Sequence, residues 1–543
     1  MADMDFTGFS LLYPNAESKT AHYAGTDKPK IDEFTLEELG LAEVLPLKNS
    51  RISDFITGDP EVIRYRQGAV FGDLLSHEEL SHTFSKLMPV LFDIMELRRL
   101  ESDSGDTADY LSSMTEIELY ISSIDILYEG ICKSGSHYDS AAFSGLSARI
   151  AELVESDYYA ELNERLSELT GRVREIKSVT IGVNLDAQLR PREAGVLSIN
   201  PEVFHSGDTL QKILHLNFKD DGYTCIAKLT PFGKKQNENQ KTALSLAFTS
   251  AINDVYRQSL RSWKKIVQTY VLENTDFLLG LLPEFEFLQK ATNLMRALKV
   301  KGNNLCVPVI RPAAERVYRA VALYNPAVAL KVDDPIVTND LIFDENATIY
   351  VLTGPNRGGK SVITCAMGLS QAMTQLGMFV PADEAEISPV DGIFTHFPTG
   401  ADDTIDKGRL GEECARLGEI FDNVTAESLV LLDESLSSTG SYEASYIASE
   451  VLAGLSRVGC HCIFSTHLHE LAAEIDRINE RAKKEGGAPI DTLVAGIEEA
   501  GKRSFRILRA KPDGKSYARD IARKYGLTYD NIIEKINHHM KGD

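Results

Sequence analysis

A glycine-rich segment at residues 354–361 limits what this chain can fold into more than any other feature. It reads Gly-Pro-Asn-Arg-Gly-Gly-Lys-Ser and follows an apolar, β-branched run at 348–353. The spacing fits the pattern G-x-x-x-x-G-K-[ST], in which glycines let backbone N–H groups turn inward around phosphate oxygens. The pattern requires a strand before the loop and a helix after it, so we expect an α/β domain around this segment.

The same segment supplies side chains for a nucleoside triphosphate and its metal ion. Lys360 is placed to bring its ammonium to the β- and γ-phosphates, and the Ser361 hydroxyl is placed to bind Mg²⁺. The helix expected at 361–376 directs its positive N-terminal dipole at the anion and stops at Gly377. A glycine-rich turn without a ligand is the alternative, which the flanking strand and helix disfavour. The residues assigned to the nucleotide here are Gly354, Pro355, Asn356, Arg357, Gly358, Gly359, Lys360, Ser361 and Val362.

Two acidic residues follow a second strand of the buried type. The strand covers 428–432 and is followed by Asp433 and Glu434. We expect Asp433 to hold Mg²⁺, through water, and Glu434 to orient or deprotonate the attacking water. A capping role for the two residues is the alternative. Their position downstream of a phosphate loop favours the catalytic interpretation.

A third buried-type strand, at 460–465, is followed by Thr466 and His467. A histidine beyond the carboxyl end of a strand lies on the ligand side of a doubly wound sheet. There His467 could sense the γ-phosphate, and a structural role is the alternative.

The part of the chain before residue 177 has the pattern of helices. Apolar residues recur at spacings of three and four over 80–100, 116–131 and 148–176. Helical texture returns between 237 and 300. We therefore expect a mainly helical region that is interrupted once.

The interruption has the pattern of strands. Residues 179–185 are β-rich, and 214–218 alternate apolar and polar residues before a short turn and a further run at 223–227. The predicted segments are an N-terminal extension at 1–40, a helical domain at 41–177, a β-rich insertion at 178–232, returning helices at 233–305 and an α/β domain at 306–543.

Composition excludes several classes of protein. No apolar run approaches the roughly 18 residues that span a bilayer. The N-terminus, Met1 to Asp5, is acidic where a secretory signal is basic and then apolar. The seven cysteines are scattered, which favours a reducing compartment without disulfides. We expect a cytoplasmic protein with no membrane partner.

Charge is distributed unevenly along the chain. The formal net charge is −23. Residues 1–160 hold 29 acidic and 12 basic side chains, whereas 233–301 hold 11 basic and six acidic ones. A local basic patch can attract phosphate backbones despite a negative total, and a solvated helix face is the open alternative. The basic residues are Lys234, Lys235, Lys241, Arg257, Arg261, Lys264, Lys265, Lys290, Arg296, Lys299 and Lys301.

Taken together, these motifs resemble the ATPase domain of the MutS family of DNA mismatch-repair proteins. Residues 353–361 look like that family's T-G-P-N-M-G-G-K-S, and 429–434 and 465–467 look like its second and third signatures. Ile336 and Asn339 resemble the segment that contacts adenine. Further matches are 380–382, 391–395, Asp402-Asp403, 516–518, Ala522 and Gly526-Leu527.

The resemblance carries expectations about fold and function. It implies an ABC-type P-loop NTPase domain like MutS domain V, with C-terminal dimerisation helices. A mainly α-helical core and lever domain would precede it and carry a small β insertion as a clamp. ATP and Mg²⁺ would be the cofactors. A homodimer would sandwich two nucleotides and bind mismatched, branched or otherwise non-B-form DNA, by structure rather than sequence, in repair or recombination.

Three departures from the family pattern leave alternatives open. No segment fits the mismatch-reading and connector domains, because Phe343-Asp344-Glu345 has the letters of the Phe-x-Glu motif but directly precedes the phosphate-loop strand. Leu410-Gly411 replace the Ser-Thr that acts on the partner's nucleotide, and residues 436–439 replace G-R-G-T. One alternative is an ATP-driven dimeric switch acting on a ribosome, RNA or protein without DNA. Another is a nucleotide-binding scaffold with little hydrolysis.

Overall fold

A computed structural model describes residues 9–104, 110–174, 178–188, 191–200, 272–355, 357–398, 408–436, 439–497, 503–511 and 526–540. The chain divides into two compact units. The first comprises Met1–Glu78, Tyr138–Phe143 and Pro283–Asp543, and the second comprises Glu79–His137 and Ser144–Leu282. The unit that contains the predicted phosphate loop is therefore assembled from both ends of the chain.

Short helices begin the first unit. They are α1 (Ala16–Tyr23), α2 (Glu33–Leu39), α3 (Leu41–Val44), α4 (Pro60–Tyr65) and α5 (Phe71–Ser76), with a 3-10 turn at Ile52–Asp54 and a π-helical turn at Arg66–Val70. Leu11, Leu12 and Leu36 have no exposed surface. From residue 9 onward, the region that the sequence assigns to an extension is part of the core of this unit.

Long helices form most of the described part of the second unit. They are α6 (Glu78–Ser104), α7 (Tyr110–Leu127) with a π-helical turn at Tyr128–Cys132, α8 (Ala141–Glu155) and α9 (Asp157–Arg174). The helix predicted at 148–176 is two helices. The break occurs at Ser156, whose hydroxyl accepts a hydrogen bond from Tyr159 N at 3.2 Å and so starts a new helix.

An antiparallel hairpin follows the helices, as the β-rich pattern predicts. Strand β1 (Ser178–Leu185) pairs with β2 (Pro191–Asn200). The runs predicted as strands at 214–218 and 223–227 lie outside the described residues. Helix α10 (Leu272–Val300) is the described part of the predicted returning helices.

A six-stranded sheet carries the phosphate loop. Its order is β12-β11-β6-β10-β9-β8, and all neighbours run parallel except β12 against β11. A smaller sheet has the order β3-β7-β4-β5. The strands are β3 (Val309–Ile310), β4 (Tyr318–Leu323), β5 (Asn339–Ile342), β6 (Ile349–Thr353), β7 (Glu384–Ile387), β8 (Ile393–His396), β9 (Leu429–Asp433), β10 (His461–Ser465), β11 (Ile490–Ile497) and β12 (Arg503–Arg509).

Helices pack on both faces of the larger sheet because successive strand residues point to opposite sides. Val430 and Leu432 of β9 join a buried cluster with helices α13 to α15, whereas Leu431 between them faces Gly368 of α12. The helices of this region are α11 (Pro326–Lys331), α12 (Lys360–Gln375), α13 (Gly408–Asn423), α14 (Ser441–Val458), α15 (His469–Lys484) and α16 (Tyr529–Met540). The parallel strands end at a common edge, where the three predicted motifs meet.

The N-terminal segment also extends the larger sheet. Lys30 N donates to Asp391 O at 2.7 Å, and Ile393 N donates to Lys30 O at 3.2 Å. Lys30 thereby forms a parallel bridge with Gly392, directly before β8. This bridge occupies backbone groups at the edge of the sheet that would otherwise be open to another chain.

A fully buried arginine joins the N-terminal segment to the end of α12. Arg66 donates through Nε to Leu12 O at 3.1 Å, and through Nη1 to Phe55 O at 2.5 Å and Leu376 O at 3.4 Å. Its burial lowers the pKa of the guanidinium. Carbonyl oxygens compensate for part of the lost hydration of the charge, since Nη2 is buried without a hydrogen-bond partner among the described residues, and Arg66 ties the end of α12 to Leu12 and Phe55.

Among the residues that the structure describes, no helix is both long enough and apolar enough to cross a membrane.

The turn after α12 gives a test of this packing. Gly377 has φ +76°, and a Cβ built there would lie 2.3 Å from Cβ of Arg66. We expect Gly377→Ala to lower the free energy of unfolding by about 1–2 kcal/mol for the left-handed backbone, plus about 1–3 kcal/mol for the clash. Gly486→Ala is the matched control, because Gly486 has φ +73° with no atom within 4 Å of a built Cβ. Equal unfolding midpoints in urea for the two variants would contradict the contact with Arg66.

Candidate functional site

The phosphate loop connects β6 to α12 by a sharp turn. Gly354 has φ +138°, and a Cβ there would lie 2.7 Å from Cβ of Ala495 in β11. Gly359 has φ +95° and begins the helix. Only glycine fits this combination of backbone conformation and close approach. The predicted strand and helix are confirmed within about two residues at each end; Asn356 lies outside the described residues.

The ammonium of Lys360 points back into the loop. It is 4% exposed and donates from Nζ to Gly354 O at 3.2 Å and to Pro355 O at 3.4 Å. Burial lowers the pKa of Lys360, and the nearby carboxylates of Glu434 and Asp433 oppose that shift. The carbonyl oxygens are weak partners for a buried cation, so an anion entering the loop would be a stronger one.

The two acidic residues after β9 differ in their surroundings. Asp433 is 6% exposed, and its Oδ1 has no hydrogen-bond partner among the described residues. Glu434 is half-buried with φ +47°, and its backbone N donates to Ser465 O at 2.8 Å. A left-handed backbone costs a non-glycine residue about 1–2 kcal/mol, and such strain is often found at functional sites.

A cavity of about 460 Å³ brings most of these residues together. The predicted site residues that line it are Ile336, Asn339, Arg357, Gly359, Lys360, Ser361, Val362 and Glu434. The segment assigned to adenine thus lies beside the phosphate loop and Glu434. Residues far apart in sequence converge there, which is the arrangement that a nucleotide with its base and phosphates requires.

Asn339 is fully engaged with the protein itself. Its Nδ2 donates to Phe505 O at 3.1 Å, and its Oδ1 accepts from Ile507 N at 2.7 Å. The amide therefore secures β12 against the cavity, rather than standing free beside it.

Phe505 is the cavity residue that the sequence does not reveal. It has φ +53°, and its ring lies 3.7 Å from a Cβ built on Gly359. A single aromatic residue in a charged run of a strand carries no motif, so only the fold places it over the phosphate loop.

His467 occupies the end of β10 but does not enter the cavity. It is exposed, and it is absent from the described residues that line the cavity. Strand β10 lies between β6 and β9, so His467 follows the same edge of the sheet as the other motifs.

The oxygen atoms at this edge suit a magnesium ion. Mg²⁺ prefers oxygen ligands, keeps several waters and takes only one or two carboxylates from the protein. The unpartnered Oδ1 of Asp433 and the exposed first-turn hydroxyl of Ser361 meet that description. No group of three or more His, Cys, Asp or Glu residues forms a metal site in the described ranges.

Leu410 stands where the family's trans serine is expected, and it packs toward its own protomer. It lies in the first turn of α13, partly buried against the core cluster of the larger sheet. Other matches to the family, namely Asp402, Asp403, residues 516–518 and Ala522, lie outside the described residues, as do Ser437 and Ser438 of the segment that departs from G-R-G-T.

Phe343 is a core residue, as its position before the phosphate-loop strand indicates. It is 8% exposed, and its ring packs edge-on against Tyr318 and Tyr350. Its side chain is not available to read a base.

Two family models match the chain. Residues 350–536 match MutS domain V, and residues 58–301 match the MutS2 N-terminal domain. The first match covers all three signatures. The second covers the helical region, in which no short sequence motif identifies a family.

Curated relatives match over part of their length. The DNA mismatch repair protein MutS of Prochlorococcus marinus (strain MIT 9301) is 37% identical over 235 residues, which is 42% of this chain and 25% of that protein. The MutS proteins of Chlorobium limicola and of Chloroflexus aurantiacus (strain ATCC 29366) are 36% identical over 205 residues and 34% identical over 225 residues, covering 36% and 40% of this chain and 22% of each relative. The chain thus spans about a quarter of the length of these relatives.

The MutS domain V match covers the phosphate loop, Glu434 and Phe505 of the cavity, and a MutS2 N-terminal match precedes it in the same chain. The chain is a MutS-related protein.

Proposed function

We propose that this protein is an ATPase that binds and hydrolyses ATP at a dimer interface and couples this cycle to DNA. The DNA would be mismatched, branched or otherwise non-B-form, and the pathway would be repair or recombination in the cytoplasm. The observation that carries the proposal is the cavity shared by Lys360, Ser361, Glu434 and the Ile336–Asn339 segment. The match of this chain to MutS domain V and the name of the MutS relatives support it.

Each site residue has one task in this proposal. Loop backbone N–H groups and Lys360 bind the phosphates, and Ser361 and Asp433 hold Mg²⁺. Bound magnesium would neutralise charge on the phosphate oxygens. Glu434, which is among the residues that line the cavity, orients or deprotonates the attacking water. His467 senses the γ-phosphate from the strand end.

A homodimer fits the surface of the C-terminal helix. Apolar side chains on and just before α16 are exposed, including Tyr529 at 77% and Ile536 at 46%. Exposed apolar side chains that lie close together mark an interaction surface, so we assign α16 to dimerisation.

A second candidate is an ATP-driven switch acting on a ribosome, RNA or protein without DNA. Part of the basic segment is used inside the protein: Arg296 donates to Leu74 O at 2.7 Å, and Lys301 donates to Leu330 O at 2.7 Å and Val332 O at 2.9 Å. These two cations are less available to DNA phosphates. Lys234 to Lys265 lie outside the described residues. The acidic balance of residues 1–160 also favours a protein partner over a polyanion.

A third candidate is a nucleotide-bound scaffold with slow turnover. The inward packing of Leu410 favours it, because that side chain offers no hydroxyl to a partner's nucleotide. Brisk steady-state release of phosphate would exclude it.

The ATPase site is tested with two substitutions. We expect Lys360→Ala to weaken ATP binding and Glu434→Gln to lower kcat by roughly 100-fold or more, the contribution of a general base. Phosphate release and nucleotide affinity are the measurements. Lys133→Ala is the control, since Lys133 is an exposed lysine of the second unit paired with Glu129. Wild-type turnover in both site variants would refute the assignment.

The nucleic-acid partner is tested by gel shift and ATPase stimulation with duplex, junction, mismatched DNA and RNA. We expect one non-B-form DNA to bind most tightly and to stimulate turnover. Replacing Lys264 and Lys265 by alanine should weaken binding and lower the slope of log affinity against log salt by about 2. Lys511→Ala is the control for loss of a surface lysine, because its ammonium pairs with Asp476. Failure of every DNA to bind at low salt would remove DNA from the proposal. A pulldown of ribosomal or protein partners without nucleic acid would then favour the switch.

A further inference from the structure

The chain turns through two left-handed residues directly after β9. Glu434 has φ +47° and Leu436 has φ +64°. Left-handed backbone is unfavourable for residues with a Cβ, so this corner persists only where its surroundings determine it. Three contacts can do so: the bond from Glu434 N to Ser465 O, the burial of the Leu436 side chain and the side chain of Ser435 between them.

Ser435 is bound to one residue at two points. Its Oγ lies 2.8 Å from Nδ1 of His396 and 3.1 Å from the backbone O of the same histidine. Both side chains are almost completely buried, at 4% and 2% exposure. The last residue of β8 thereby holds the residue next to Glu434, in a place where water cannot substitute for either partner.

The histidine ring is itself held from its other side. Nε2 lies 3.3 Å from Glu413 O in α13. Burial, and then the charge of Arg416, lowers the pKa of His396 to about 4, so the ring is neutral at physiological pH. A neutral ring carries one proton. With that proton on Nε2, the ring donates to Glu413 O, and the one hydroxyl proton of Ser435 is donated to Nδ1, while His396 O lies close to the same hydroxyl.

We propose that His396 and Ser435 are positioning residues that hold the backbone of Glu434 so that its carboxylate stays in the nucleotide cavity. This inference rests on the proposed ATPase function. The hydrogen bond to Ser465 O fixes the backbone N of Glu434, and the buried side chain of Leu436 fixes the chain two residues later. The Ser435–His396 contact sets the rotation of the chain between them. When the Ser435–His396 contact is lost, the Glu434 carboxylate can move away from the water that it would orient.

Two substitutions of His396 separate its ring nitrogens. The amide of asparagine reaches the position of Nδ1, whereas that of glutamine reaches the position of Nε2. We expect His396→Asn to stay within about three-fold of wild-type kcat. We expect His396→Gln and Ser435→Ala to lower kcat about ten-fold, part of the roughly 100-fold or more that a general base contributes. KM and nucleotide affinity should stay within about two-fold for all three, since the phosphate loop is untouched.

A control and a double variant distinguish positioning from general loss of stability. Ser456→Ala removes another buried hydroxyl, which donates to Ala488 O at a distance of 2.5 Å. Neither residue lines the cavity, so this variant should leave kcat unchanged. In a Glu434→Gln background, Ser435→Ala should have no further effect, because it acts through the missing carboxylate. Thermal melting monitors folding. If Ser435→Ala does not fold, the asparagine and glutamine variants of His396 decide.

Three results would overturn the inference. They are wild-type kcat in His396→Gln, an equal loss in His396→Asn and His396→Gln, or an undiminished effect of Ser435→Ala in the Glu434→Gln background. Absence of turnover in the wild-type protein is a separate result, which would overturn the proposed function and this inference with it.

Discussion

Helix α12 has to be buried along its length while its first turn stays open to a ligand. Thirteen of its sixteen residues are buried, polar ones included. Gln375, at its end, donates from Nε2 to Thr57 O and Val390 O, and Gly368 leaves room for Leu39. The N-terminal segment and the neighbouring sheet therefore accept hydrogen bonds from α12 and cover its surface, while the beginning of the same helix faces the cavity. A shift of that helix would have to involve residues 9–66 as well.

Several residues that line the cavity have unusual backbone conformations. Six non-glycine residues of the described chain have positive φ, and Arg357, Glu434 and Phe505 among them line the cavity. Two of them are held by contacts to the protein itself: Glu434 N donates to Ser465 O, and Asn339 binds the backbone at Phe505 and Ile507. A site of this kind is preorganised, because its geometry is determined before any ligand arrives.

Local pattern was sufficient to predict the elements around the phosphate loop, and the structure has β6, α12, β9 and β10 close to the predicted bounds. Glycine spacing and apolar runs are local properties, so a single sequence reveals them. The placement of Phe505, the engagement of Asn339 and the burial of Leu11 are not local, since each depends on a partner more than 100 residues away. The break at Ser156 was missed for another reason, because one capping hydroxyl outweighs an uninterrupted apolar period.

The buried carboxylate of Glu284 accepts hydrogen bonds from the hydroxyl of Ser10 and from the backbone N of Leu11. Ser10 and Glu284 are 274 positions apart in the chain. A ribosome adds roughly 5–20 residues per second, so Ser10 and Leu11 wait on the order of 15–60 seconds for this partner. During that interval the backbone N of Leu11 lacks the carboxylate that it binds in the folded protein. Burial of residues 10–12 is therefore completed only after residue 284 has been made, so a chaperone that held this segment until then would favour correct assembly.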